Sequence, residues 1–177
     1  MTFKSINPAD GNTFAEIDTF TAEQLESVLQ ESAFAAPRWR ELALAERCRL
    51  MRNAGQVLEA RAEEFARLIT FEMGKPIREA RAEVQKCAWV CEFYAAEGPG
   101  FLDDEVIESD AGRSLVAWQP LGTVLAIMPW NFPFWQVFRF AAPALIAGNT
   151  GLLKHASNVP RCAQAIETVF REAGFPA

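Results

Sequence analysis

The chain predicts an α/β fold: a helical segment, a β-hairpin arm, and then the first βαβ unit of a parallel sheet. Three observations carry that prediction. Thr123–Met128 is a short apolar run closed by Pro129-Trp130-Asn131-Phe132-Pro133; an apolar segment follows and stops at Gly148-Asn149; a second short run reaches Lys154 before the polar turn His155-Ala156-Ser157-Asn158. That order reads as strand, loop, helix, strand, loop. Upstream, apolar residues recur at steps of three and four, the helical period. Between the two regions the period changes, at Val106–Glu108 and Arg113–Trp118, to that of a hairpin.

In chain order, Asn7-Pro8-Ala9-Asp10-Gly11 is a turn before a short strand, Phe14–Ile17. Thr21-Ala22-Glu23-Gln24 is a capping-box signature that opens a helix, with Leu25, Val28 and Leu29 as its apolar stripe. A helical region runs from about Leu42 to Met73, with Leu44, Cys48 and Met51 on one stripe and Phe65, Leu68 and Ile69 on another. Gly74 is placed as its C-cap and Pro76 as the first residue of the next helix. That helix carries Ile77, Ala80, Val84, Cys87, Ala88 and Cys91 on one face and is expected to end at Gly98-Pro99-Gly100. The hairpin turns through Ser109-Asp110-Ala111-Gly112, and Gln119-Pro120-Leu121-Gly122 leads into the βαβ unit. A final helix runs from about Pro160 to Ala173 and stops at Gly174. Residues 1–119 are thus a helical wrap with an arm at about 103–119, and 120–177 the start of a second domain. A two-strand start leaves apolar surface and an open edge exposed.

Composition narrows the partners. A net charge of −6 argues against nucleic acid or an anionic membrane, since both favour basic surfaces. The N-terminus lacks the apolar core of a signal peptide, and the longest apolar run, Phe140–Ala147, is too short to span a bilayer. The expected location is cytoplasmic. Cys48, Cys87, Cys91 and Cys162 show neither disulfide nor zinc spacing. Cys87 and Cys91 share a helix face and read as buried helix cysteines, a common fate of free Cys.

Parallel strands joined by a helix place both strand ends on one edge of the sheet. Trp130-Asn131 and Lys154–Ser157 therefore face one crevice, where open α/β sheets bind ligands. One cluster offers an amide donor, the other a cation and a hydroxyl. No G-x-G-x-x-G follows the first strand, so a glycine-loop phosphate site is absent.

The segments PWNFP, APALIAGNT and LLKHAS, in this order and spacing, resemble the aldehyde dehydrogenase superfamily. The likeness extends upstream through Asn7-Pro8, Glu72–Pro76, Glu79-Ala80-Arg81 and Pro120-Leu121-Gly122, so it covers nearly the whole chain. It is closest to succinate-semialdehyde dehydrogenases. Members of the family are more than twice as long, with nucleophilic Cys and general-base Glu beyond the point matching Ala177. The resemblance thus implies an incomplete aldehyde dehydrogenase fold: the N-terminal part of an enzyme, with the start of a Rossmann-like NAD(P)-binding domain and no catalytic domain.

The site residues follow from that resemblance, each beside a plainer reading. Asn131 is either the N-cap of the helix after it or, as in the family, an oxyanion donor. Ile127, Met128, Pro129 and Trp130 match residues that lie along the cofactor, although Trp130 reads equally as core. Lys154 is either a solvated strand end or the family's ribose contact. Ser157 stands where NAD-preferring members often hold Glu, and a serine there permits NADP without excluding NAD. His155 stands where many members have Pro and reads as a loop residue, with an adenosine-side contact as the alternative. Arg139, amid large hydrophobes, is either exposed or paired, or it matches a substrate-channel Arg that would hold the carboxylate of a semialdehyde. Phe140 stands where many members carry Lys. Glu72, Lys75 and Glu83 also match family positions; exposed helix ends carry such charges routinely, and the three are assigned a structural role and no chemistry.

The expected parent activity is oxidation of an aldehyde such as succinate semialdehyde to the acid, with hydride passed to NAD(P)+ and the arm pairing like subunits. The chain alone is expected to be inactive, because no residue in it, Cys162 included, matches the nucleophile or the general base. The alternatives are a stand-alone, non-catalytic nucleotide-binding or oligomerisation module and a partial gene product.

Overall fold

The computed structural model describes residues 2–176. Its core is a block of three helices, α2 (Leu44–Ala60), α3 (Ala62–Met73) and α4 (Ile77–Phe101), preceded by α1 (Ala22–Glu41). Helix α1 opens as its sequence dictates. Thr21 accepts from the Gln24 backbone N–H at 3.2 Å, and the Gln24 side chain accepts from the Thr21 N–H at 2.8 Å. Its expected stripe is uncovered, with Leu25 and Leu29 exposed. The stretch expected as one helical region is two helices that meet at Arg61, where φ is −111°. No Gly or Pro marks the break. Arg61 instead reaches Glu64 on the new helix and Glu172 near the C-terminus.

Gly74 is the C-cap of α3, with φ +75°, a left-handed conformation that favours glycine. Pro76 is the N-cap of α4 rather than its first residue. Helix α4 also runs through Gly98-Pro99-Gly100 to Phe101 instead of ending there. The reason lies in packing. Gly98 is buried, and a Cβ built on it would lie 2.9 Å from Ile146 Cγ2, so the glycine admits a close helix crossing rather than stopping a helix.

Three strand pairs complete the fold. β1 (Thr2–Ile6) and β2 (Thr13–Asp18) form an antiparallel hairpin around the Asn7–Asn12 turn. The first of these strands was not expected. The arm is the short antiparallel pair β3 (Glu105–Val106) and β4 (Leu115–Val116). β5 (Thr123–Ile127) pairs in parallel with β6 (Thr150–Lys154) through the crossover helix α5 (Trp135–Ile146), and α6 (Pro160–Glu172) follows.

One buried cluster draws on both sides of residue 119: Met51, Leu58, Phe65, Val84, Cys87 and Cys91 pack with Phe134, Phe138, Ile146, Cys162 and Ile166. Aromatic rings thread it, from Phe65 to Phe134 at 5.4 Å, then Phe138, Phe170 and Phe175, ending on Trp39 at 5.3 Å. All four cysteines are buried and free, and burial pushes each thiol up from its ordinary range. The C-terminal end of α5 is held from outside as well. Trp39 Nε1 donates to Leu145 O at 2.8 Å, and Arg47 Nε donates to Ile146 O at 2.9 Å. Among the described residues no helix is long and apolar enough to cross a membrane.

Candidate functional site

The parallel pair sets the geometry. Its register places Ile127 beside Lys154, and Met128 N–H continues the ladder by donating to Lys154 O at 3.1 Å. The loops 128–134 and 155–159 therefore leave the sheet side by side. His155 joins them. It stands in the loop after β6, as expected, but its ring is buried. The Ala156 N–H, which can only donate, lies 2.8 Å from Nδ1, and Pro133 O, which can only accept, lies 2.9 Å from Nε2. These two partners fix the tautomer with hydrogen on Nε2. Burial lowers the His155 pKa below its ordinary value, and the bond to Pro133 opposes that shift.

The side chains expected to meet ligands stand open on this edge. Asn131, Lys154 and Ser157 are exposed, and Ile127 is 68% exposed. Trp130 is 49% exposed, so it is not a core residue; it lines a cleft with Lys4, Ile6, Met73 and Asn158. Asn131 is not a helix N-cap either. Helix α5 begins four residues later, and its N-cap position is Phe134. The Asn131 amide has no protein hydrogen-bond partner among the described residues, which leaves it free to donate outward. Lys154 forms no ion pair among them.

Arg139 lies on the exposed face of α5. Its apolar neighbours in sequence, Phe138 and Val137, turn inward. The guanidinium is thus exposed, one of the two readings its sequence allowed. The positive charge faces outward from the helix that follows Asn131.

The groups that hold the edge in place are those read as solvated helix-end charges. Glu72, Lys75 and Glu83 are 3%, 7% and 5% exposed. Glu83, on α4, accepts from Phe134 N–H at 2.9 Å and Trp135 N–H at 3.0 Å, capping α5 from another helix. Glu72, on α3, accepts from Arg161 N–H at 2.8 Å and Cys162 N–H at 2.7 Å, and so caps α6; Ser5 donates to the same carboxylate. Neither helix has a side-chain cap of its own. A carboxylate suits the positive end of a helix and satisfies N–H groups that would otherwise be orphaned. Lys75 completes the set. Its ammonium pairs with Glu83, donates to Asn131 O at 3.0 Å, and sits 3.7 Å from the Phe132 ring centroid. Sequence reasoning missed this role because the partners lie 51 to 90 positions away. The only local signal is two carboxylates on α3 and α4 and a lysine in the short link between them.

Helices packed around a parallel strand pair, with open polar side chains at the strand ends, define an α/β chain of the ligand-crevice type. It belongs to the aldehyde dehydrogenase family, whose sequence pattern matches residues 1–177. The chain is 52% identical over 176 residues to "Probable succinate-semialdehyde dehydrogenase NADP(+)" of Synechocystis sp., covering 99% of this chain and 39% of that protein. It is 48% identical to the succinate semialdehyde dehydrogenase NAD(P)+ of Escherichia coli, covering 97% of this chain and 37% of the relative. The structure superposes with a TM-score of 0.96 on succinic semialdehyde dehydrogenase from Streptococcus pyogenes in complex with NADP+, at 35% identity, over 99% of this chain and 39% of the other. The chain thus spans less than two fifths of these relatives' length.

The exposed set brings an amide, a cation, a hydroxyl and apolar surface to one edge. A cation and a hydroxyl three residues apart suit a ribose or its phosphate, and Ile127 and Trp130 supply apolar surface beside them.

Proposed function

We propose that this chain is the N-terminal part of an NAD(P)-dependent aldehyde dehydrogenase that oxidises succinate semialdehyde or a similar carboxylated aldehyde to the acid. Residues 1–119 serve as the helical wrap and arm, and 120–177 as the start of a Rossmann-like cofactor domain. The observation that carries this reading is the open strand edge. Asn131, Lys154 and Ser157 stand exposed at the C-terminal end of one parallel pair, in a chain whose relatives act on this substrate class.

Each residue then has a task. Lys154 and Ser157 hold the ribose side of NAD(P), with Ile127, Met128, Pro129 and Trp130 along its length. NAD(P)+ supplies the hydride acceptor when bound. Ser157 carries no charge to repel a 2′-phosphate, so NADP is admitted beside NAD. Asn131 donates its amide to the oxygen on which negative charge gathers as a thiolate adds to the aldehyde. Arg139 presents a planar, permanently charged fork to the substrate's distal carboxylate. The nucleophile and general base match no position in these 177 residues, and Cys162 is sealed in the core. The chain alone is therefore inactive. A cytoplasmic setting and pairing of like subunits through the arm complete the reading.

The test uses the full-length enzyme that carries this segment. Asn131→Ala lowers kcat by about 10²–10³-fold with little change in NADP affinity, the usual cost of one oxyanion donor. Arg139→Ala raises KM for succinate semialdehyde, while an uncharged aldehyde of similar length is nearly unaffected. Because Arg139 is exposed, the loss is about two- to fivefold rather than that of a buried pair. Equal losses on both aldehydes would remove Arg139 from the substrate site.

A further inference from the structure

We infer that Lys75 and Glu83 are positioning residues for Asn131: a buried ion pair that holds the oxyanion loop in place from beneath. The inference deepens the reading of Asn131 as oxyanion donor and rests on it.

The loop and the first residue of α5 are held at five consecutive positions by side chains from elsewhere in the chain. Asn131 O accepts from Lys75 Nζ at 3.0 Å. The Phe132 ring lies 3.7 Å from the same ammonium. Pro133 O accepts from His155 at 2.9 Å. The Phe134 and Trp135 N–H groups donate to Glu83 Oε1 at 2.9 and 3.0 Å. The other Glu83 oxygen, Oε2, takes the Lys75 ammonium.

A merely structural role explains only part of this. Capping α5 requires an acceptor at Phe134 and Trp135, which Glu83 alone provides. It requires no cation. A buried ammonium costs desolvation free energy that an apolar residue would avoid. Its hydrogen bond goes to none of the helical carbonyls but to the peptide oxygen of Asn131, three residues before the helix N-cap. The contact fixes the backbone from which the Asn131 amide projects. A donor in an oxyanion site must lie within a few tenths of an ångström of hydrogen-bond distance to be of use. Displacement by about 1 Å costs on the order of 100-fold in rate. Lys75 and Glu83 never reach the substrate; they act through Asn131.

The experiment is a double-mutant cycle in the full-length holoenzyme, with kcat, KM and directly titrated NADP dissociation constants. Lys75→Met, which keeps the stem and removes the charge, lowers kcat by about 10–100-fold and leaves NADP affinity within about twofold. In the Asn131→Ala background the same change has almost no further effect on kcat, because the group it positions is gone. Glu83→Gln is the second variant. It keeps an oxygen for the Phe134 and Trp135 N–H groups and removes only the charge that steadies Lys75, so it lowers kcat in the same way even where Lys75→Met folds poorly. Multiplicative losses in the double variants would overturn the inference. So would variants with lowered melting temperature but unchanged kcat per folded molecule. A loss with Asn131→Ala and none with Lys75→Met or Glu83→Gln would overturn the positioning role alone. An unchanged kcat in Asn131→Ala would overturn the oxyanion reading, and the inference with it.

Discussion

The helical block and the parallel strand pair bury their apolar residues very differently. In the block, Met51, Ala54, Leu58, Ile69 and Val84 are wholly shielded from water. In the strand pair, Leu125 is 61% exposed, and Ile127 and Leu153 are exposed with it. Both segments are equally apolar in sequence. The block closes on itself, since α2, α3 and α4 cover one another and α5 and α6 lie across them. The strand pair has only two members, and its outer face meets α1 chiefly near Thr123, where hydroxyls of Ser32, Thr123 and Thr150 bond in a chain at 3.1 and 2.9 Å. Stability in this chain therefore resides in the block. The strand pair contributes surface and the edge on which the candidate site stands.

Three substitutions probe that contrast in this chain. Phe65→Ala removes a ring buried in the block against Phe134. It should cost about 3–5 kcal/mol in urea denaturation; a loss under about 1 kcal/mol would show that the block is not the seat of stability.

His155→Asn addresses the joint between the two regions and should cost about 1–3 kcal/mol near pH 7.5, the penalty for leaving buried partners unsatisfied. Its pH dependence carries a sign. Burial holds the folded-state pKa of His155 below its ordinary value of about 6.5, so the unfolded chain takes up the proton first as pH falls. The histidine's contribution is complete above about pH 6.5 and shrinks as pH drops toward the folded-state pKa. The gap between wild type and variant should narrow from pH 7.5 to 5.5. A constant gap would mean that His155 is not held neutral by the fold.

The smallest effect belongs to the strand face. Ile127→Thr should change stability by less than about 0.5 kcal/mol, as for other exposed positions. A loss above about 2 kcal/mol that grew with protein concentration would show the face covered by a second copy.

Much of the fold was legible because its signals are local. The capping box at Thr21 and Gln24, the left-handed Gly74 and the spacing of Ala80, Val84, Cys87 and Cys91 are set by neighbours within a few residues. The strand–helix–strand order after Gly122 was equally plain, and so was the placing of Asn131, Lys154 and Ser157 at one edge, which follows from parallel topology alone. Strand β1 was not legible. TFKSI alternates weakly and becomes a strand only beside residues 13–18. The α2–α3 break at Arg61 carries no breaker residue, and Gly98 resembles a stop until Ile146 is placed against it. Burial of Glu72, Lys75 and Glu83 depends on groups far along the chain, so a local reading sees only charged helix ends. For Arg139 an exposed reading and a substrate-channel reading stayed side by side, because apolar neighbours in sequence say little about which side of a helix a residue takes.

The two capping carboxylates also bear on how the chain is made. Glu72 and Glu83 leave the ribosome well before the helices whose ends they will hold, since their partners lie 51 to 90 residues downstream. At about 5–20 residues per second the wait lasts several seconds. Through that interval Glu83 has Lys75 and Glu72 has Ser5 to pair with, but the carboxylate oxygens that will take the α5 and α6 N–H groups stay hydrated, since burying them without those donors is costly. The nascent helices can collapse but cannot seal the side that α5 and α6 will cover. Closure of the block over these two carboxylates is thereby timed to the arrival of α5 and α6, and the loops beside those helices, which carry the candidate site, are ordered after the block's own helices.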